Sequence, residues 1–228
     1  MRRKQFLRYS AMAFGAAALA PWLTACGGGG DSLASTTTAF TPTTSTLAAA
    51  PKSTAVLSQE EIAGLKFMRE EEKLARDVYV ALFNVWGAKV FSQIALSETT
   101  HTETILGLLT KYGIADPAVG KAEGVFEDPN LQALYNTLIA IGHPTLMDAL
   151  KVGALIEETD IRDINVRKAV TNEADILQVY DSLLCGSRNH LRSFNSQLLN
   201  QGVAYLPQVI TQAEWDAIAN APAETCGK

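Results

Sequence analysis

From Ser58 to Asn200 apolar residues recur every three or four positions, the spacing that keeps side chains on one face of a helix. Four long helices are predicted, over about 58–86, 88–112, 145–166 and 172–200. Their apolar stripes read Leu65, Met68, Ala75, Tyr79, Leu82; then Phe91, Ile94, Ile105, Leu108, Tyr112; then Met147, Leu150, Ala154, Ile161, Ile164; and Ile176, Tyr180, Leu183, Phe194, Leu198. Ser58 with Glu61 opens the first helix as a capping box, Gly113 closes the second, and Pro144 precedes the third. The connection from Ile114 to Pro144 carries a short helix near Asn130–Ile141 and is long enough to return the chain, so that the third helix runs parallel to the second. A tail helix opens at Thr211, capped with Glu214, and turns Trp215 and Ile218 inward. The fold class is all-α: a four-helix bundle with a long crossover between its second and third helices and a C-terminal tail helix.

Polar residues interrupt each stripe in phase: Glu72 in the first, Glu98 and His101 in the second, Glu157 in the third, Ser187 and His190 in the fourth. An ionised carboxylate in a dry core costs on the order of several kcal/mol even after relaxation. Three together would also raise one another's pKa values. A divalent cation turns that repulsion into coordination. Glu98 and His101 lie one turn apart on one face and reach a single ion. Inward glutamates with Glu-x-x-His pairs are how helical bundles build dinuclear sites, and mixed oxygen and nitrogen ligation suits iron and manganese.

Taken singly, each residue has a plainer reading. Glu98-Thr99-Thr100-His101 also occurs on surface helices, Glu70-Glu71-Glu72 reads as a solvated acidic run, and Glu157-Glu158 as a surface pair answering Lys151 or Arg162. His190, near Arg188 and Arg192, reads equally as a core histidine bonded to a backbone carbonyl, and His143, before Pro144, reads as structural. The shared phase across four helices favours the metal.

The N-terminal residues have another character. Arg2, Arg3, Lys4 and Arg8 precede an apolar run from Ala11 to Leu23 that is too short for a membrane span, and this is the pattern of a secretory signal over 1–25. Leu23-Thr24-Ala25-Cys26 resembles the bacterial lipoprotein box, which makes Cys26 the lipidation site; the alternative is a signal cut elsewhere with Cys26 a spectator. Arg2-Arg3 with Phe6-Leu7 resembles the twin-arginine export pattern at a spacing one residue too long. The stretch 26–56 is Gly, Ser, Thr, Ala and Pro with almost no charge, a disordered tether by composition, and 57–228 forms one domain. Export leads to the cell envelope, with membrane contact through the lipid alone. The formal charge of −5 becomes four units more negative once the basic leader is lost, and an acidic chain without a basic patch excludes nucleic acid as a partner. A homo-oligomer is left open. Cys185 and Cys226 remain, either bonded in a compartment that permits disulfides or as two buried thiols.

Glu72-Lys-Leu-Ala-Arg-Asp-Val-Tyr79 resembles the first-helix motif of ferritin and rubrerythrin relatives, and Glu98-x-x-His101 their second-helix motif. Together with Ile156-Glu157-Glu158-Thr159-Asp160-Ile161 and Gly186-Ser187-Arg188-Asn189-His190-Leu191, the domain from about Leu57 to Ile218 is similar to the domain of unknown function 2202 family of the ferritin-like superfamily. The resemblance implies two divalent ions, iron first and manganese or zinc as alternatives, with Glu72 a first-helix ligand, Glu98 the bridge, His101 a cap, Glu157 the third-helix carboxylate and His190 the fourth-helix histidine. The glutamate that pattern expects three residues before His190 is Ser187, and Asp160 is the candidate to replace it; Glu158 is the alternative to Glu157. The expected activity is reaction of Fe(II) with oxygen or peroxide, with Tyr79 donating an electron, hydrogen-bonding a ligand, or only packing. Non-redox holding of iron, manganese or zinc, and a metal-free module that recognises another envelope protein, are the competing readings.

Overall fold

A computed structural model describes residues 56–227; the basic leader, Cys26 and most of the Gly/Ser/Thr-rich stretch lie outside them. The all-α expectation holds, for the described residues form six helices and no strand: α1 Gln59–Trp86, α2 Lys89–Tyr112, α3 Pro129–Gly142, α4 Leu146–Lys168, α5 Ala174–Asn200 and α6 Gln212–Ala219. Ser58 and Glu61 cap α1 reciprocally, as Thr211 and Glu214 cap α6. Gly87 and Gly113 end α1 and α2 in the left-handed conformation, φ 63° and 69°, which glycine adopts without a Cβ penalty. No helix among the described residues is long and apolar enough to cross a membrane.

Of the apolar residues assigned to the four stripes, all but Tyr112 and Met147 are buried. The helices pair α1 with α2 and α4 with α5, α1 also meets α4, and α2 meets α5. One stretch of core is therefore shared by all four. α3 packs on α1 and α4, and α6 on α5. Tyr79, Phe91 and Phe194 form an aromatic cluster, with Phe194 centred 5.3 Å from Tyr79 and 5.6 Å from Phe91. Gly153 makes room for it: a Cβ there would stand 2.3 Å from the Phe194 ring.

Glu72 is buried as its phase predicts, and so are Glu70 and Glu71, which a solvated acidic run would expose. Successive helical residues turn by about 100°, so three neighbours face three environments. The segment between α2 and α4 covers the face of α1 that pattern alone assigns to solvent. Glu70 accepts backbone N–H groups from Glu127 and Asp128, Glu71 lies against α4, and Glu72 faces the centre of the core. The same segment is held by Arg69 on Asp116, 3.0 Å, and by buried Lys73, which bonds Asp77 and the carbonyls of Ala122 and Val125.

Candidate metal centre

Glu98, midway along α2, lies between two histidines. His101 Nδ1 sits 2.7 Å from Glu98 Oε2 and 3.2 Å from Glu72 Oε2. On the other side His190 Nδ1 is 2.7 Å from Glu98 Oε1 and 3.5 Å from Glu157 Oε2. Two sets of donors result, Glu72–Glu98–His101 and Glu98–Glu157–His190, the ligand atoms of each within 4.8 Å of one another and every residue buried. Glu98 belongs to both, giving one oxygen to each side. α1, α2, α4 and α5 each contribute.

The donors are aimed inward by their surroundings. Tyr79, fully buried, donates its hydroxyl to Glu157 Oε1 at 2.6 Å and so leaves Oε2 turned toward His190. The Nε2 of His190 lies 3.0 Å from the Ser97 hydroxyl. With Nε2–H donated there, Nδ1 is the nitrogen turned to the Glu98 carboxylate, and once it loses its proton its lone pair is free for an ion. Gly186 gives His101 its place, since a Cβ on Gly186 would stand 2.5 Å from the ring. Ser187, where the ferritin pattern has a glutamate, bonds back to the Leu183 carbonyl and supplies no donor.

Charge is poorly balanced here. Burial pushes Glu72 up to about 7 although His101 pulls against it. Burial raises Glu157 as well, with His190 opposing. Burial also works on Glu98, but the imidazoles of His101 and His190 outweigh it and hold that carboxyl far below its usual range. Burial opposes charging of His190, yet Glu157 and Glu98 raise it to about 10; for His101 burial again opposes, and Glu98 and Glu72 prevail. Glu72 Oε1 is buried without a hydrogen bond, while Glu98 Oε1 and Glu157 Oε2 meet no polar group but His190 Nδ1, at 2.7 and 3.5 Å. Polar atoms so placed are costly unless a ligand or ion meets them.

Two expectations are altered. Asp160 is buried one turn beyond Glu157, but neither donor set includes it, and both its oxygens are without a hydrogen bond. Burial, then the charges of Glu71, Glu72, Glu157 and Glu98, hold it well above its ordinary range. Glu158 points away from the centre and accepts the backbone N–H groups of Gln208, Val209 and Ile210, so the alternative to Glu157 falls. Ser97 escaped the sequence reading, and Gly186 entered it only as part of the fourth-helix motif without a role, because neither interrupts an apolar stripe, although a glycine in mid-helix beside an expected ligand position was a usable signal. The other open question is answered too: Cys185 and Cys226 form a disulfide.

The described residues thus make an all-helical domain with carboxylates and histidines from four helices gathered in its core. The chain belongs to the family described as an uncharacterized protein domain, DUF2202, which matches residues 61–222. It is 44% identical over 178 residues to uncharacterized protein MJ0754 of Methanocaldococcus jannaschii, a match spanning 78% of this chain and 95% of that one. The crystal structure of hypothetical protein MJ0754 from Methanococcus jannaschii superposes with a TM-score of 0.74 at 44% identity, covering 77% of this chain and all of the archaeal one.

Proposed function

We propose that the protein is a ferritin-like metalloprotein whose four long helices make a bundle with α3 in the crossover, and whose centre holds two divalent ions, iron before manganese or zinc. The observation that carries this reading is Glu98: one buried carboxylate presents its two oxygens to two histidines, and each pair is completed by a further glutamate. The residues fit the ions, because buried carboxylate oxygens and ring nitrogens, Glu72 Oε1 among them without a hydrogen bond, converge in donor sets of the mixed kind that such metals take. Glu72 and His101 would hold one ion, Glu157 and His190 the other, with Glu98 shared. Bound iron would supply one-electron chemistry toward oxygen or peroxide.

The chain's own groups prepare that chemistry. Tyr79 orients Glu157, Ser97 fixes the tautomer of His190, and the Tyr79–Phe91–Phe194 cluster keeps bulk water from the inner side. From the sequence, lipid on Cys26 would tether the domain at the envelope. Anaerobic loading with Fe(II), followed by air, tests the reading. Two irons per chain with oxygen consumption, both lost in E98A, are expected. Loading without oxygen consumption would leave a non-redox holding site, and no stoichiometric metal would leave a metal-free interaction module.

A further inference from the structure

Glu71 and Asp160 lie outside both donor sets, and the reading above gives them no task. They are 2% and 1% exposed; neither oxygen of Asp160 has a hydrogen bond, and the polar side chain beside Glu71 is another carboxylate, Asp163. Both line a cavity of about 210 Å³ between α1, α3 and α4 whose other walls include Leu74, Leu134, Leu138 and Leu155. A water molecule occupies roughly 30 Å³ of liquid, so this volume accommodates an ion with most of its hydration shell. Arg162 also borders the cavity, but its charge is matched by Asp163 at 2.6 Å.

Position gives these carboxylates a direction. Asp160 is one turn from Glu157 on α4, Glu71 adjoins Glu72 on α1, and both act electrostatically on Glu72. They thus stand between the cavity and the centre. On the α2–α5 side the centre meets a second cavity, about 290 Å³, bordered by His101 and His190 and by no carboxylate. Carboxylates that can exchange a proton for a cation therefore line the first side and not the second.

We propose that Glu71 and Asp160 form a transfer site through which a divalent metal ion passes, partly hydrated, from the α1–α3–α4 cavity into the centre. This rests on the dinuclear reading but adds a residue-level route to it. Two carboxylates with water as the remaining ligand hold an ion loosely enough to release it to the fuller donor sets beside them.

Co(II) uptake by metal-free protein, followed by visible absorption in a stopped-flow instrument, tests the route. The double variant E71Q/D160N should load about ten-fold or more slowly, the scale on which a carboxylate-lined cleft raises local cation concentration. Its final cobalt content and spectrum should match the parent's. E60Q/E103Q, which removes two exposed acids from α1 and α2, should load at the parent rate. Equal rates in parent and E71Q/D160N, or equal slowing in E60Q/E103Q, would overturn the proposal. So would a lower final cobalt content in E71Q/D160N, which would make Asp160 a ligand of the centre. E71Q alone is judged by the same criteria if the double variant does not fold by circular dichroism. A parent that takes up no cobalt would sink the centre and the route together, whereas failure in rate alone leaves the centre standing.

Discussion

Glu98 is the residue on which both donor sets depend, so substitutions around it should differ in kind. E98A is expected to remove both ions, while H101A and H190A each weaken one; elemental analysis after desalting separates these outcomes. Ser97 acts one step out, through the ring of His190. S97A should cost about ten- to a hundred-fold in metal affinity, the usual scale for a partner that orients a ligand, with helix content unchanged. Gly186 provides a sharper case. Alanine is favoured over glycine in a helix by roughly 1 kcal/mol, yet here its Cβ would meet the His101 ring at 2.5 Å. G186A should therefore resemble H101A in metal content, and a variant that binds metal as the parent does would show that His101 has another place to go.

At the scale of elements, α6 and the tail are fastened at three points. Glu158 takes the N–H groups before α6, Arg188 and Arg192 both hold Glu224, and Cys226 is bonded to Cys185 across 41 residues. Closing a loop of that length is worth about 4 kcal/mol in chain entropy. C226S should melt well below the parent under oxidising conditions, and the two should converge when reductant is added. The long helices were legible because each carries an apolar stripe with caps or glycine at its ends, signals local to the element. Glu72, Glu98, His101, Glu157 and His190 were legible for the same reason, as each falls where a leucine would continue the stripe. The acidic run was not. Whether Glu70 and Glu71 meet water depends on what covers α1, and that covering segment comes from residues more than forty positions away. Glu158 was ambiguous by one residue, a rotation of about 100° that only the docked tail resolves.

For the whole molecule the site couples stability to pH. The folded pKa of Glu72 is about 7 against an ordinary 4.5, and that of His190 about 10 against 6.5. Both shifts are upward, so the native state binds more protons than the unfolded chain between the paired values. Their stabilisation is complete below the ordinary pKa and is lost as pH rises, from 4.5 to about 7 for Glu72 and from 6.5 to about 10 for His190. Glu98, shifted down, contributes in the opposite sense, but only in acid below 4.5. Metal-free protein should thus melt at a lower temperature at pH 8 than at pH 5.5. A divalent ion needs the deprotonated ligands, so its stabilisation should grow over the same interval. Calorimetry with and without chelator at the two pH values checks both slopes, and parallel shifts would refute the coupling.

The bonded tail has a practical corollary. Cys226 and Gly227 border the same cavity as His101 and His190. Anything attached to the tail is tethered through residues that border the imidazole edges. A C-terminal oligohistidine handle would place competing nitrogens at that mouth, able to strip or scavenge the very cations being counted, so stoichiometry is best measured on protein purified without one.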